Sequence, residues 1–316
     1  MPDRLPILVL AGSDRQPAPV PRQLKADDML TGLKGALRLP SGRCLAGELV
    51  ERLKKSERFE DPILIGPRKV YAGNVDCEIV DVEGNLAATL AQIRQLIRNR
   101  FDLSSPVAFS TCDILPTPDE IRRLLAESYD PHASCFFWGE LIEAQPQQMG
   151  ASRWKPSHHF LPDVGQPLKN LYPGHLMIAR PAALRMRLAS HLLQLVYSHR
   201  NLDHHKRYLR MILHGLGRLI AEDFRNLFLF KPPLLSISIP FFSLRAYFRF
   251  RRQRLTVPEF AQHFAKVFLY NDHHQHTNGP AVVFAITLIV SFAKDIDTKA
   301  ELAEMGAMNP DVTSRD

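Results

Sequence analysis

"VAFSTCDILPTPDE", residues 107–120, is an apolar, small-residue run that ends on one acid, Asp113, and breaks at Pro116. A carboxylate at the lip of a buried strand is costly unless something pairs with it. Thr117 then opens the amphipathic stretch "TPDEIRRLLAES" (117–128), where Thr117 and Asp119 offer helix-capping chemistry. The segment therefore reads as strand, acidic lip and helix. On these residues alone, Asp113 is either a turn residue or an oxygen ligand for a hard divalent cation.

The same rhythm extends through the first half of the chain. "LPILVL" (5–10), "PILIG" (62–66) and "CEIVDV" (77–82) read as short strands. "CLAGELVERLKKS" (44–56) and "NLAATLAQIRQLIRN" (85–99) carry apolar residues at helical spacing. Strands alternating with helices through short joins predict an α/β fold, with a mostly parallel central sheet flanked by helices. Ligands in such sheets sit beyond the carboxyl ends of the strands, which points to the segments after Leu10, Val82 and Thr111.

From about residue 133 the pattern changes. "ASCFFWGEL" and "GHLMIARP" read as strands around an irregular or hairpin segment, "RWKPSHHFLPDVGQPL". A helix-rich stretch follows, and "AVVFAITLIVSF" returns to strand. The predicted organisation is an α/β domain over 1–180 and 280–305, a helical insert over 181–279 and a flexible tail over 306–316.

Composition narrows the class. The net charge is +7 over 316 residues, a weak pointer to anionic partners. Cys44, Cys77, Cys112 and Cys135 are widely spaced with no CxxC pair, which argues against a zinc ribbon or a disulfide framework. The N-terminus lacks a signal-peptide layout, and "PAVVFAITLIVSFA" (280–293) is too short to span a bilayer. The expectation is a soluble, cytoplasmic protein.

Several residues can carry chemistry. Strand one runs through Leu10 and Ala11 into "GSDR", which is either an ordinary strand-to-loop turn or a place where Gly12 lets backbone N–H groups approach a phosphate and Arg15 balances its charge. The spacing is neither GxGxxG nor a Walker A loop. Lys34 precedes a Gly turn and a long helix, and taken alone it reads as a surface lysine. Gly84 and Thr89 flank a strand-to-helix junction where a base could be read. In "FAKDIDTKAEL" (292–302), Asp295 and Asp297 point to one side if the backbone is extended, while Thr298 and Glu301 make a capping box. Two acidic strand ends in one sheet can meet around one Mg2+.

Taken in order, "LAGSDR", "KGALRLPSGRCLAGELVERLKKS", "GNLAATL", "STCDILP" and "DIDTKAEL" resemble the motifs of the nucleotidyltransferases related to molybdenum-cofactor guanylyltransferase, which have a glycosyltransferase-A-type fold. The resemblance spans about residues 5–160 and 175–303. It departs at Ser13, at the inserted Asp14, at Glu301 in place of an acidic Asp, and in the size of the insert.

The resemblance implies transfer of a nucleoside monophosphate from an NTP to a phosphorylated sugar or alcohol. Asp113 with Asp295 or Asp297 would hold Mg2+, and Arg15 and Lys34 would act in catalysis. Leu10, Ala11, Gly12, Ser13, Gly84 and Thr89 would bind the nucleotide. The alternatives are a glycosyltransferase of the same fold, whose central D-x-D pair is here only Asp113, and a non-catalytic nucleotide-binding or membrane-associated scaffold.

Two further features stand apart. The clusters "DHH" (203–205) and "DHHQH" (272–276) have adjacent rather than helix-spaced histidines and read as surface residues, while His158 and His159 could meet an anionic group. "KPPLLSISIPFFSLRAYFRFRRQR" (231–254) joins apolar residues to five arginines. It reads as a buried helical subdomain with a basic edge, or as a peripheral contact with an anionic membrane. No motif for specific nucleic-acid recognition is present.

Overall fold

The computed structural model describes residues 4–12, 20, 24–83, 86–131, 135–199, 204–228, 234–270 and 279–307. In chain order the strands are β1 (Ile7–Leu10), β2 (Ile63–Gly66), β3 (Glu78–Asp81), β4 (Val107–Thr111), β5 (Phe137–Glu143), β6 (His158–Phe160), β7 (Lys169–Ala179) and β8 (Val282–Thr287). The helices are α1 (Leu45–Ser56), α2 (Arg68–Tyr71), α3 (Leu86–Arg100), α4 (Pro118–Ser128), α5 (Met186–His199), α6 (His204–Phe228), α7 (Leu235–Arg251), α8 (Val257–Phe268) and α9 (Lys299–Ala307).

All eight strands form one sheet in the order β3-β2-β1-β4-β7-β5-β8, with β6 paired to β7. β1 to β4 run parallel, and β5 pairs parallel with β8. β7 is antiparallel to β4, β5 and β6. The fold is α/β with a mostly parallel central sheet flanked by helices, as the alternation of strand and helix predicts. Of the strand expected over 133–141, residues 133 and 134 lie outside the described residues and β5 is seen from Phe137, and β7 starts earlier than expected, at Lys169, where it pairs with β6 and β5.

The two-residue period of the strands divides the core. Ile7 and Val9 of β1 face a cluster with Leu45, Leu49 and Leu53 of α1 and Ile121, Leu124 and Leu125 of α4. Leu8 points the other way, toward Ile93, Leu96 and Ile97 of α3 and Ala261 and Ala265 of α8. Helix α8 therefore covers the sheet: its Phe264 ring lies 4.5 Å from Phe137 and 5.4 Å from Phe284. Helices α5 to α7 extend beyond it around a small core of Leu188, Leu219, Leu235 and Ile239.

Local chemistry fixes the helix starts. Thr117 accepts from the Glu120 amide at 3.2 Å while Glu120 accepts from the Thr117 amide at 2.7 Å, so the strand after Asp113 is followed by a closed capping box. Thr298 and Glu301 do the same for α9, with Glu301 N–H donating to Thr298 Oγ1 at 3.2 Å and Thr298 N–H donating to Glu301 Oε2 at 2.8 Å.

Candidate active site

The carboxyl ends of β1 and β4 lie side by side, with the Cys112 amide donating to the Leu10 carbonyl at 3.1 Å. Beyond β1, Ala11 donates to the Ile65 carbonyl at 2.9 Å and accepts from the Tyr71 hydroxyl at 3.1 Å. Gly66 is required at this crossing, since a Cβ there would stand 2.6 Å from the Ala11 carbonyl oxygen. Gly12 is exposed and faces the start of α3: a Cβ added to it would lie 3.5 Å from Thr89 Oγ1. Leu10, Ala11, Gly12 and Thr89 are thus gathered at one sheet edge. Ser13, Arg15 and Gly84 lie outside the described residues.

Three distant segments converge on Asp113. The Ile296 amide donates to the Asp113 carbonyl at 2.9 Å, and the Leu30 amide donates to the Asp297 carbonyl at 2.8 Å. Met29 also bridges to Thr298. Lys34 opens a short 3-10 turn that rests on buried Gly35, where a Cβ would come 2.8 Å from both Cys112 Sγ and Tyr71 Oη. From there the Lys34 ammonium donates a hydrogen bond to Asp297 Oδ1 and lies 3.6 Å from Asp113 Oδ2. The other oxygen of Asp113, Oδ1, is buried and has no hydrogen-bond partner.

A second lysine completes the cluster. Lys155, almost fully buried, donates to the side chain and carbonyl of Asp295. It stands 3.2 Å from Asp297 Oδ2 and 3.4 Å from Glu301 Oε1. Glu301 also accepts from Ser152 Oγ at 2.6 Å and from the Asp297 amide at 2.7 Å, so the cap of α9 anchors the whole cluster. His175 approaches from β7, with Nε2 3.4 Å from Asp295 Oδ1 and Nδ1 3.3 Å from Thr111 Oγ1.

An irregularity in β7 aims that histidine. The β5–β7 register shifts between Gly139 and Leu141, opposite a strand segment holding Pro173, which has no N–H, and Gly174. Buried Glu140 fills the gap by accepting the Leu176 amide at 2.6 Å, and its side chain occupies the space a Cβ on Gly174 would need.

Electrostatics follow the geometry. Burial alone would raise the Asp295 carboxyl, but His175 and Lys155 hold it well below the usual range. Burial and the neighbouring Asp295 charge push Asp297 up. Burial opposes the charge on Lys34, yet Asp113 and Asp297 keep its ammonium firmly protonated. Lys155 is likewise held charged against burial by Asp295, Asp297 and Glu301. His175 is raised in the same way, with Asp295 outweighing the cost of burial.

Neither Lys155 nor His175 is singled out in the sequence reading. Lys155 sits in the irregular "RWKPSHH", and His175 is one ring in a strand; only the three-dimensional return of the DIDT segment pairs them with acids. His158 and His159 lie on β6, where the His158 ring packs 5.8 Å from Phe250, and burial lowers its pKa. Asp203 and residues 271–278 lie outside the described residues.

The fit to a divalent metal can be tested on these atoms. Among the described residues, no three His, Cys, Asp or Glu side chains are grouped to hold a metal ion. The sequence leaves Asp295 and Asp297 as alternative partners for Asp113. In the structure Asp295 is taken by Lys155 and His175, Asp297 stands between Lys34 and Lys155 and shares the former with Asp113, and Asp113 keeps an unsatisfied oxygen. One or two carboxylates completed by substrate phosphates is an ordinary donor set for Mg2+. Asp113 and Asp297 fit it.

No family model and no curated protein matches the sequence. Among solved structures, the protein is similar in fold to a hypothetical transferase from Thermus thermophilus, at 16% identity and a TM-score of 0.54, over 95% of this chain and 100% of that one. Weaker likenesses carry no argument for this protein. One is a CMP:2-keto-3-deoxy-manno-octonic acid synthetase complexed with CTP (12% identity, 67% and 87% coverage, TM-score 0.41). Another is a 4-diphosphocytidyl-2C-methyl-D-erythritol synthase from Anaerococcus prevotii (8% identity, 96% and 97% coverage, TM-score 0.41).

Proposed function

We propose that the protein is an Mg2+-dependent nucleotidyltransferase that moves a nucleoside monophosphate from an NTP to a phosphorylated small molecule. The observation that carries this reading is the Asp113–Lys34–Asp297 arrangement, with its unsatisfied Asp113 oxygen, at the same sheet edge as Gly12 and Thr89. The motif order that resembles the molybdenum-cofactor guanylyltransferase relatives supports it further.

Asp113 and Asp297 would hold Mg2+, which when bound supplies positive charge to the phosphate oxygens. The Gly12 amide offers a donor to the triphosphate, and Thr89 lies beside it for the nucleoside. An oxygen of the acceptor phosphate attacks the α-phosphorus as the bond to the bridging oxygen breaks, and pyrophosphate leaves. Lys34, kept protonated by its acids, offsets charge that builds on the transferring group. An acceptor phosphate is already ionised, so no general base is required. His175 and Lys155 hold Asp295 in place and ionised.

Incubation with each NTP, Mg2+ and a panel of sugar and alcohol phosphates tests the reading through pyrophosphate release. Release that depends on both acceptor and Asp113 is the expected result. Cleavage of a nucleotide-sugar instead would favour a glycosyltransferase, and inertness toward every NTP would mark the lysine-filled acidic cluster as structural.

A further inference from the structure

Helices α6 and α7 each show two faces. Inward, Leu219, Leu235 and Ile239 are buried together, and Asp223 accepts the Leu235 and Ser236 amides at 2.8 Å each, fixing the start of α7 against α6. Outward, α6 exposes Leu213, Leu216, Ile220 and Phe224 at steps of three and four residues, a continuous helical stripe. On α7, Ile237, Phe241, Leu244 and Phe248 repeat the pattern. Ile237 is 69% exposed and Phe224 61%, whereas side chains of this kind are ordinarily buried. Apolar stripes of this extent mark an interaction surface.

Charge identifies what covers it. Between His204 and Arg254 the sequence carries eleven Lys and Arg against two acids, Glu222 and Asp223. That surplus of nine exceeds the +7 of the whole protein. Both acids are already engaged, Glu222 by Arg187 and Arg225 and Asp223 by the α7 amides. Arg245 and Arg252 are exposed and follow the α7 stripe at single-turn offsets from Phe241 and Phe248. A second copy docking through this face would set one basic surface against another. A bilayer with anionic headgroups satisfies both features, taking the apolar side chains into its interface and pairing the arginines with phosphate. No described helix is long and apolar enough to cross a membrane, so the contact lies in the interface.

We infer that the outer faces of α6 and α7 dock the protein onto an anionic lipid surface. This inference does not depend on the catalytic reading. The test is sedimentation of the full-length protein with vesicles of phosphatidylcholine alone or with one third phosphatidylglycerol. The protein is expected to pellet only with the anionic vesicles and to be released by high salt. Arg245→Gln with Arg252→Gln, both at exposed positions, is expected to weaken vesicle partition about 25-fold, each arginine contributing on the order of fivefold. Ile237→Ser with Phe241→Ser is expected to weaken it as well. Equal binding to neutral vesicles, or no binding to either, overturns the inference. So does a dimer in light scattering that the Ile237→Ser, Phe241→Ser variant converts to monomer.

Discussion

The Ile296 amide donates to the Asp113 carbonyl across 2.9 Å, although 183 residues separate them in sequence. This one bond sets the spacing between the end of β4 and the DIDT segment. The side chains on either side of Ile296 then fall on opposite tasks. Asp297 shares Lys34 with Asp113 and also meets Lys155 at 3.2 Å, whereas Asp295 meets Lys155 and His175 and forms no ion pair with Lys34. Buried Ile296 is the pivot between them.

That division predicts unequal metal effects. Mn2+ titrations in the presence of nucleotide, followed by electron paramagnetic resonance, should show Asp113→Asn and Asp297→Asn weakening binding by about 100-fold or more. Asp295→Asn, acting as an outer support, should cost roughly 10-fold, the low end for residues that orient ligands. Equal losses for all three would mean that Asp295 is itself a ligand.

Lys155 faces three carboxylates inside the protein, and its removal leaves them uncompensated. Lys155→Met should therefore lower unfolding stability by about 3–5 kcal/mol, the usual cost of breaking one side of a buried ion pair. Adding Asp295→Asn should restore part of the loss by removing one orphaned charge. Urea denaturation of the single and double variants measures both, and a neutral Lys155→Met would show that water already reaches the cluster.

Gly35 carries the turn that delivers Lys34. Gly35→Ala would drive a methyl group against Cys112 Sγ and Tyr71 Oη, both buried and the latter hydrogen-bonded to the Ala11 carbonyl. The expected cost is about 1–3 kcal/mol of stability from overpacking. Because Lys34 is adjacent, pyrophosphate release should also drop at a temperature where the variant remains folded. Unchanged turnover would separate the turn from the site.

The sheet was legible because its signal is local: short apolar runs, helical spacing and capping residues such as Thr117 and Thr298 all act within a few positions. Asp113 was visible as an acid ending an apolar strand, and Asp295 and Asp297 as acids before a helix cap, although the strand expected over 281–292 stops at Thr287 and a 3-10 turn over Val290–Phe292 precedes them. Lys155 and His175 were not, since nothing within their own neighbourhoods distinguishes them from a surface lysine and a strand histidine. The paired tasks of the two DIDT acids were hidden for the same reason, because they depend on which cation each one meets. The exposed stripe of α6 is hidden in the sequence for a related reason: its apolar residues have core spacing, and only the fold shows that the packing partner covers one side.

Glu140 offers a test of the β7 irregularity. Burial pushes its carboxyl up to about 8, so it is neutral at pH 7 in the folded protein and ionised when unfolded. A raised folded value means that stability is fully present below the unfolded value near 4.5 and is lost as pH rises toward 8. Glu140→Gln keeps the acceptor for the Leu176 amide and removes the titration. Between these limits the wild type should lose stability relative to the variant at roughly 1.4 kcal/mol per pH unit, and the difference should level off above about pH 8. Denaturant midpoints collected from pH 5 to 9 measure it. Parallel curves would mean that Glu140 is ionised in the fold, with its second oxygen reaching a partner of its own.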